Sequence, residues 1–173
     1  MSYPISLQKL NSLDTAGFIQ FLGGVFEHSP WVAERVAGQR PFASTDELHA
    51  AMVAAIEAAG QEAQLRLIRA HPELAGKAAV RGEMTEESNR EQRGAGLDQC
   101  SPEELASIQS LNAQYQQKFN HPFIVAVRGH TRQSVIALVT QRLKNSAAEE
   151  QAECLRQIYR IGELRLADLV ANT

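Results

Sequence analysis

The sequence predicts an all-α fold, a single-domain bundle of about eight helices that spans residues 1–173. Three observations lead to this prediction. Start and stop signals of helices recur along the chain, and no segment sustains the apolar and polar alternation of a half-buried strand. The composition, with 44% apolar and 21% charged residues, is typical of a compact soluble domain that buries its own core. No internal repeat, low-complexity stretch or linker divides the chain.

Four helices are predicted in the first part of the chain from their end signals. A short polar side chain at the N-cap accepts a hydrogen bond from the first turn, and glycine or proline ends a helix because neither continues it well. In order, the signals are Asp14 before a helix to about Glu27, Ser29-Pro30 before a short helix closed by Gly38, Ser44 with Glu47 before a helix ended by Gly60, and Gln61 to Ala70 ahead of Pro72.

Four more helices are predicted in the second part by the same signals. They are a helix from Thr85 to about Ala95, one from Ser101-Pro102 with Glu104 to about Phe119, one from Gln133 to Lys144, and one capped by Ser146 with Glu149 that runs from Ala147 to about Ala171. The apolar, β-branched run 123–127 has no second strand to pair with, so we predict a buried extended segment there.

Charge and cysteine content exclude several classes of function. A formal net charge of −3 without a Lys/Arg block argues against general nucleic-acid binding. Cys100 and Cys154 lack the spacing of a zinc site or a disulfide framework, and no two histidines have ligand spacing, so we expect no metal. The N-terminus does not resemble a signal peptide, and no apolar run reaches the roughly 18 residues of a membrane helix. We therefore expect a cytoplasmic protein with no membrane partner.

One residue breaks the apolar stripe of the last predicted helix. Leu155, Ile158, Ile161 and Leu169 share one face, and the position that should continue this face is Arg165. Two interpretations stay open. Arg165 is either a structural arginine, which reaches solvent or pairs with a buried carboxylate, or an anchor for a small anionic substrate.

Two other groups depart from their surroundings. Ser88, Glu91 and Gln92 fall at i, i+3 and i+4 of one predicted helix, and we expect this face to pack inward because the opposite face is more polar still. His71 directly precedes Pro72, whose ring stiffens the local backbone. A solvated helix face and a structural histidine are the alternative interpretations of these two groups.

Four motifs in a fixed order resemble the OHCU decarboxylase family. They are HPELAGK (71–77), TEESNREQRGAGL (85–97), LNAQYQQKFNHPFIVAVRG (111–129) and IGELRL (161–166), so the resemblance spans essentially the whole chain. The first two motifs are specific in combination. Members of the family act on 2-oxo-4-hydroxy-4-carboxy-5-ureidoimidazoline (OHCU). The resemblance implies an all-helical, cofactor-free homodimer that forms (S)-allantoin in urate degradation.

The resemblance also implies the site residues one by one. The catalytic histidine and glutamate of the family match His71 and Glu91. Its substrate-binding positions match Pro72, Ser88, Gln92 and Arg165, together with a segment that contacts the substrate through its backbone, namely Phe123, Ile124, Val125, Ala126 and Val127. One departure is Asn120, where the family more often has glycine, and it concerns the shape of a loop.

The chemistry of OHCU explains why no cofactor motif is needed. Its carboxylated carbon is bonded to a ring C=N carbon, so the electrons released with CO2 flow into that imine. We expect His71 to manage the proton of the C4 hydroxyl with Glu91 orienting it, and Arg165 to anchor an anionic edge. Two alternatives remain: an enzyme that acts on a neighbouring ureide, and a catalytically silent helical module for binding or dimerisation.

Overall fold

The computed structural model describes residues 4–76, 79 and 81–171, and this part of the chain is predominantly helical, as predicted. Its described residues include nine α-helices: α1 (Leu7–Ser12), α2 (Thr15–Leu22), α3 (Trp31–Val36), α4 (Thr45–Ala58), α5 (Gln61–Ala70), α6 (Glu86–Gly94), α7 (Pro102–Phe119), α8 (Arg132–Arg142) and α9 (Ala147–Leu169). Two short strands, β1 (Ile5–Ser6) and β2 (Val170–Ala171), pair in parallel. None of the helices in the described stretches has the length and apolar character that crossing a membrane requires.

Side-chain caps begin the helices where the sequence predicts them. Asp14 Oδ1 accepts from the Gly17 amide at 2.8 Å at the start of α2. Ser101 and Glu104 exchange hydrogen bonds between side chain and backbone at the start of α7, which is the predicted capping box. These bonds satisfy amides that have no partner inside the helix.

Helix α2 ends earlier than predicted, at Leu22 instead of about Glu27. Two glycines follow Leu22, and each costs a helix interior about 1 kcal/mol relative to alanine. The chain therefore leaves the helix and forms turns. The carbonyls of Gly24 and Val25 consequently lie outside any helix, where a side chain from elsewhere in the chain can bond to them.

Three elements near the chain ends, one helix and two short strands, are absent from the prediction. Helix α1 begins after Ser6, whose Oγ accepts from the Lys9 amide at 3.1 Å. Strand β1 pairs with β2, with Ile5 opposite Val170, and this pairing also ends the last helix slightly before the predicted position. Two-residue strands are too short to show alternation, and the partner lies at the other end of the sequence, so no local pattern indicates them.

The chain divides into two compact units, and the interpretation of residues 1–173 as one domain stays a prediction. The first unit comprises Met1–Ala70 with Tyr159–Thr173, and the second comprises His71–Ile158. Buried apolar side chains of the first unit come mainly from α2 to α5 and the end of α9. They include Phe18, Leu22, Val32, Leu48, Met52, Ile56, Leu67, Ile68 and Leu166.

The core of the second unit is centred on aromatic rings around Tyr115. Its ring centroid lies 4.6 Å from that of Phe119, 5.4 Å from Phe123 and 5.6 Å from His121. Apolar side chains that complete this core include Leu74, Leu97, Ile108, Val125, Val127, Val135 and Val139. The segment Phe123–Val127 is largely buried and lies outside any helix or strand, which confirms its predicted burial, whereas its extended conformation stays a prediction.

Helix α7 ends at Asn120, which adopts a left-handed backbone conformation with φ of 59°. Glycine takes this conformation most readily, and asparagine tolerates it better than most other residues. Asn120 therefore suits the left-handed position that ends this helix. The loop that leads into Phe123–Val127 begins from this residue.

Candidate active site

His71 lies immediately after α5, at the start of the second unit. The helix ends there because Pro72 lacks an amide hydrogen and its ring restricts the residue before it. His71 is 7% exposed, and its Nε2 atom is buried. The chain then makes a tight turn, in which a Cβ on Gly76 would lie 2.8 Å from the Cβ of Glu73. Only glycine fits at that position of the turn.

Two buried amide side chains hold this turn. Gln92 Oε1 accepts from the Ala75 amide at 2.9 Å, and Gln92 Nε2 donates to the Glu73 carbonyl at 3.3 Å. Asn112 Nδ2 donates to the Leu74 carbonyl at 2.9 Å. Backbone groups of three consecutive residues are therefore fixed by side chains from α6 and α7.

Helix α6 turns the predicted face inward. Thr85 caps the helix, and its Oγ1 accepts from the Ser88 amide at 3.2 Å. Ser88 and Gln92 are each 5% exposed and Glu91 is half-buried, whereas the two arginines of the helix are exposed. The alternative interpretation, a solvated face, is therefore wrong for Ser88 and Gln92.

Most of the hydrogen-bonding capacity of Gln92 is used within the protein. Its two amide hydrogens go to the Glu73 carbonyl and to Met84 Sδ, the latter at 3.1 Å. One Oε1 lone pair accepts from the Ala75 amide, which leaves the second lone pair of Oε1 for a ligand. Gln92 can therefore accept a hydrogen bond from a ligand without giving up a bond that it already makes.

The segment Phe123–Val127 is anchored from the two last helices. The Ile124 carbonyl accepts from Arg142 Nη1 of α8 at 2.6 Å. The Ala126 amide donates to Gln157 Oε1 of α9 at 3.0 Å. Val125 lies between the two anchored residues.

Arg142 belongs to a buried polar cluster of the second unit. It is 4% exposed and its partner Glu150 is 0% exposed. Nε lies 3.0 Å from Glu150 Oε1, and Nη2 lies 2.9 Å from Oε2. The Tyr115 hydroxyl donates to Oε2, and Asn145 Nδ2 donates to Oε1 at 2.9 Å. A charge pair this deep persists because several donors satisfy the carboxylate.

Burial controls the protonation of this cluster. It raises the pKa of Tyr115 far above the ordinary value, and it also raises the pKa of the Cys154 thiol. Burial alone would lower the pKa of Arg142, but the hydrogen bonds and charge of Glu150 outweigh it, and the pKa of Arg142 is raised. The cluster therefore contains a charged arginine beside a neutral phenol and a neutral thiol.

Arg165 is buried in the first unit, where it pairs with Glu27. The two side chains are 2% and 1% exposed, and Nη1 lies 3.0 Å from Glu27 Oε2. The same Nη1 lies 3.2 Å from the Gly24 carbonyl and 3.5 Å from the Val25 carbonyl. The early end of α2 leaves these carbonyls outside a helix. Arg165 therefore does not extend to solvent, and the predicted possibility of a buried carboxylate partner is confirmed.

Close packing of α9 supports this arrangement. A Cβ on Gly162 would lie 2.7 Å from two ring carbons of Phe26, the residue before Glu27. The absence of a side chain at Gly162 therefore lets α9 approach the turns that contain the acceptors of Arg165. A larger residue at this position would have to displace the ring.

The predicted site residues fall in both units. The second unit contains His71, Pro72, Ser88, Glu91, Gln92 and the segment Phe123–Val127, and the first contains Arg165. Within the second unit, Gln92 joins the turn after His71 to the helix that carries Ser88 and Glu91. In the described stretches of the chain, histidine, cysteine and acidic side chains form no cluster of three that could bind a metal ion.

Several buried polar residues of the two units are absent from the sequence prediction. All of them except Glu27 occupy a position in an apolar helical stripe, as Arg165 does, and this interruption is a signal that the sequence contains. Arg142 continues the buried positions of α8, Asn112 those of α7, and Glu150 precedes Cys154 and Ile158 at four-residue spacing on α9. These residues and their buried neighbours are Val135, Val139 and Arg142; Ile108, Asn112, Tyr115 and Phe119; and Glu150, Cys154 and Ile158. Glu27 lies outside a helix, so no periodicity indicates it.

Comparison with known proteins identifies close relatives of this chain. The sequence profile of the family described as OHCU decarboxylase matches residues 11–167. The chain is 41% identical over 166 residues to the 2-oxo-4-hydroxy-4-carboxy-5-ureidoimidazoline decarboxylase of Haloferax volcanii, covering 96% of each chain. It is 40% identical over 167 residues to the uric acid degradation bifunctional protein PucL of Bacillus subtilis, covering 96% of this chain and 33% of that protein.

A solved structure is also similar to this chain. The crystal structure of (S)-allantoin synthase matches with a TM-score of 0.77 and 28% sequence identity. The match covers 97% of this chain and 54% of that one, so the chain spans about half the length of the synthase structure.

Proposed function

This chain belongs to the OHCU decarboxylase family, and we propose that it releases CO2 from OHCU through His71 and Glu91 without a cofactor. It is a carboxy-lyase of urate degradation. One observation supports the residue assignment above the others. Gln92 bonds the turn that follows His71, and so ties together the two motifs whose residues the family resemblance makes catalytic.

The reaction requires three proton movements around one bond cleavage. The bond between C4 and the carboxylate breaks, its electron pair forms a C4=C5 double bond, and the C=N pair moves onto the ring nitrogen, which takes up a proton, so the substrate itself is the electron sink. The C4 hydroxyl then loses its proton as it becomes a carbonyl, and C5 gains a proton. The protein must therefore orient the carboxylate, accept one proton and control the face from which C5 is protonated.

His71 is our candidate for the proton at the C4 hydroxyl, because an imidazole can take and return protons near neutral pH. Two features favour it: the side chain is buried, and the turn after it is held by Gln92 and Asn112. A general base positioned this stiffly loses little orientation during the reaction. Glu91, half-buried on α6, orients or polarises the histidine or the hydroxyl.

The neutral groups of the site bind the ureido group and the ring. Ser88 is buried on the same face as Gln92, and Gln92 has one acceptor position left, which suits a ureido N–H. The backbone of Phe123–Val127 contributes further polar contacts, and Pro72 contributes an apolar one next to His71. Polar groups of this kind in a mostly apolar site fix the orientation of a small ligand.

Arg165 anchors an anionic or carbonyl edge of the substrate. A guanidinium can donate to a carboxylate through two nitrogens, which specifies orientation as well as charge. Glu27 and the carbonyls of Gly24 and Val25 hold the Arg165 side chain in one position, which lowers the entropy that substrate binding would otherwise cost.

We also propose the oligomeric state, the domain organisation and the cellular location of the protein. The resemblance supports a homodimer, and the residues from 1 to 173 are proposed to form one catalytic domain. Cys100 and Cys154 are both free thiols, which suits a reducing compartment such as the cytoplasm. Size-exclusion chromatography with light scattering tests the dimer directly, because a monomer at micromolar concentration would contradict it.

Release of CO2 from freshly generated OHCU tests the proposed function. We expect the wild-type protein to release CO2 faster than the spontaneous reaction, and dialysis against a chelator to leave the rate unchanged. An enzyme for a neighbouring ureide would turn over that ureide and leave OHCU at its spontaneous rate. A catalytically silent module would turn over neither compound, and either result would reject the proposal.

A further inference from the structure

Arg142 is a buried charge that the proposed chemistry does not use. It lies at 4% exposure in the apolar stripe of α8, and its guanidinium carbon lies 4.4 Å from the ring centroid of Phe123. Burying an arginine is costly unless its charge and its hydrogen atoms are all satisfied. The contacts of Arg142 therefore indicate what this charge does in the fold.

Arg142 joins Glu150 to the backbone of the segment Phe123–Val127. Nε and Nη2 bond to the Glu150 carboxylate, and Nη1 donates to the Ile124 carbonyl at 2.6 Å. Each of the three nitrogens thus has a protein acceptor, which holds the guanidinium in one position. The carboxylate fixes the guanidinium plane, and that plane fixes one peptide group of the segment.

The anchoring determines which way the neighbouring peptide groups point. A trans peptide group is planar, and the C=O of one residue points in the opposite direction to the N–H of the next residue. The Ile124 carbonyl points at Arg142, and the Ala126 amide points at Gln157. The N–H of Val125 therefore points away from Arg142, and the C=O of Val125 points away from Gln157.

Val125 has backbone groups that a ligand can use. The residue is 4% exposed, and among the residues that the structure describes no hydrogen bond involves its N–H or C=O. Buried backbone groups are nearly always paired with protein, water or ligand. The N–H and C=O of Val125 are therefore the backbone groups of this segment that are available to a ligand.

We propose that Arg142 is a positioning residue for the decarboxylation: held by Glu150, it fixes the Ile124 carbonyl and so directs the backbone of Val125 at the substrate. This inference rests on the proposed function, since it assigns a role within that reaction. It is distinct from the role of Arg165, because Arg142 acts through the segment and does not touch the substrate.

A double variant separates positioning from stability. Arg142→Met alone leaves Glu150 buried without its partner charge and should lower the melting temperature strongly. Arg142→Met/Glu150→Gln removes both charges, and the glutamine oxygen accepts from Asn145 while its NH2 group donates to the Tyr115 hydroxyl oxygen, so most of the stability should return. The Ile124 carbonyl still lacks its donor in this double variant.

In the double variant we expect kcat/KM to be roughly 10- to 10²-fold lower than in the wild type. Most of this loss should come from a raised KM, because small misplacements of binding groups have effects of this size. Ile108→Ala is the matched control. It opens a cavity in the same core and lowers the melting temperature without removing a polar contact, so its KM should equal that of wild type. A double variant with both stability and KM restored would overturn the proposal.

Amide hydrogen exchange gives a second readout that does not depend on turnover. The amide of Ala126 should exchange faster in the double variant than in Ile108→Ala, because the segment has lost one anchor. Equal exchange in the two variants would overturn the positioning role even if the wild type is active. Wild-type protein without CO2 release would reject the proposed function, and the exchange result would still decide whether Arg142 fixes the segment.

Discussion

Each unit of this protein contains one arginine buried against a glutamate, and the two pairs differ in what they hold. Arg142 pairs with Glu150, eight residues later in the chain, and its third nitrogen holds the Ile124 carbonyl. Arg165 pairs with Glu27, 138 residues away in sequence, and bonds to carbonyls left free by the end of α2. The first pair fixes a segment proposed to meet the substrate, and the second fixes an arginine proposed to bind it.

One sequence signal marks two different roles in these helices. Both arginines interrupt an apolar helical stripe, and both are satisfied by a carboxylate, so neither burial nor pairing separates a structural charge from a binding charge. Variants that replace both the arginine and its glutamate distinguish the two roles. Such a variant leaves no unpaired buried charge, so the protein regains stability, and a change in KM that remains is due to the lost role in binding.

The largest effect on kcat is expected for His71, the proposed general acid or base, and the effects of replacing the two arginines should be smaller. Replacing His71 with alanine should lower kcat by about 10² to 10⁴-fold, because that is the usual contribution of one general acid or base. Far-ultraviolet circular dichroism should stay unchanged, because the turn is held by Gln92 and Asn112. A His71→Ala protein that decarboxylates OHCU at the wild-type rate would contradict the assignment.

Breaking the pair of the second unit should have the largest effect on stability. Arg142→Met is expected to lower the free energy of unfolding by about 3 to 5 kcal/mol, because it leaves a buried carboxylate uncompensated. Urea unfolding measures this value. A loss below about 1 kcal/mol, the size expected of an exposed ion pair, would show that Glu150 finds another partner.

Breaking the pair of the first unit should affect both stability and binding. Arg165→Leu is expected to destabilise the protein by about 3 kcal/mol, and Arg165→Leu/Glu27→Gln should recover most of that loss. KM for OHCU should stay raised in the double variant, because the substrate has lost its anchor. Recovery of both stability and KM would make Arg165 purely structural.

Alkaline pH should weaken the Arg142 cluster through Tyr115. Burial raises the pKa of Tyr115 in the folded state above its ordinary value of 10.0, so this contribution to stability is complete below pH 10. Above pH 10 the unfolded chain loses the phenol proton first, and stability should fall by up to about 1.4 kcal/mol per pH unit. Tyr115→Phe should flatten this dependence in urea titrations between pH 9 and 11, and an unchanged slope would contradict it.

The smallest effect is expected at the turn that carries His71. Asn112→Ala removes the donor to the Leu74 carbonyl, and should cost about 1 to 2 kcal/mol of stability with a several-fold fall in kcat. Asn89→Ala is the control, because Asn89 bonds the backbone of Met84 outside this turn. Equal kcat values for the two variants would indicate that Asn112 does not position the histidine.

Much of the fold could be predicted because its signals are local. Caps such as Asp14 and Ser101 bond to amides three residues away, so their partners lie in the same short window of sequence. The inward face of α6 and the burial of Arg165 follow from helical periodicity. The predicted end of α2 is wrong, because the two glycines after Leu22 end the helix although apolar residues follow them.

The partners inside the site could not be predicted, because they are tertiary. Glu27 meets Arg165 from a turn at the other end of the chain, and no periodic pattern indicates a residue outside a helix. Gln157 holds Ala126 across 31 positions, which is again invisible to a window of one helix. The burial of Arg142 and Asn112 is indicated by the sequence, because each interrupts an apolar stripe as Arg165 does. The carbonyls that they bond, those of Ile124 and Leu74, lie in irregular backbone that no periodic pattern indicates.

Circular dichroism of enzymatically generated OHCU tests the decarboxylation and its one-sided protonation most directly. The spontaneous reaction forms racemic allantoin slowly, whereas a site that holds the ring through groups from several elements exposes one face of C5 to the proton source. We expect wild-type protein to produce the optical signal of (S)-allantoin at an accelerated rate, and His71→Ala to produce it far more slowly. A racemic product formed at the spontaneous rate in the presence of wild-type protein would contradict the proposed function.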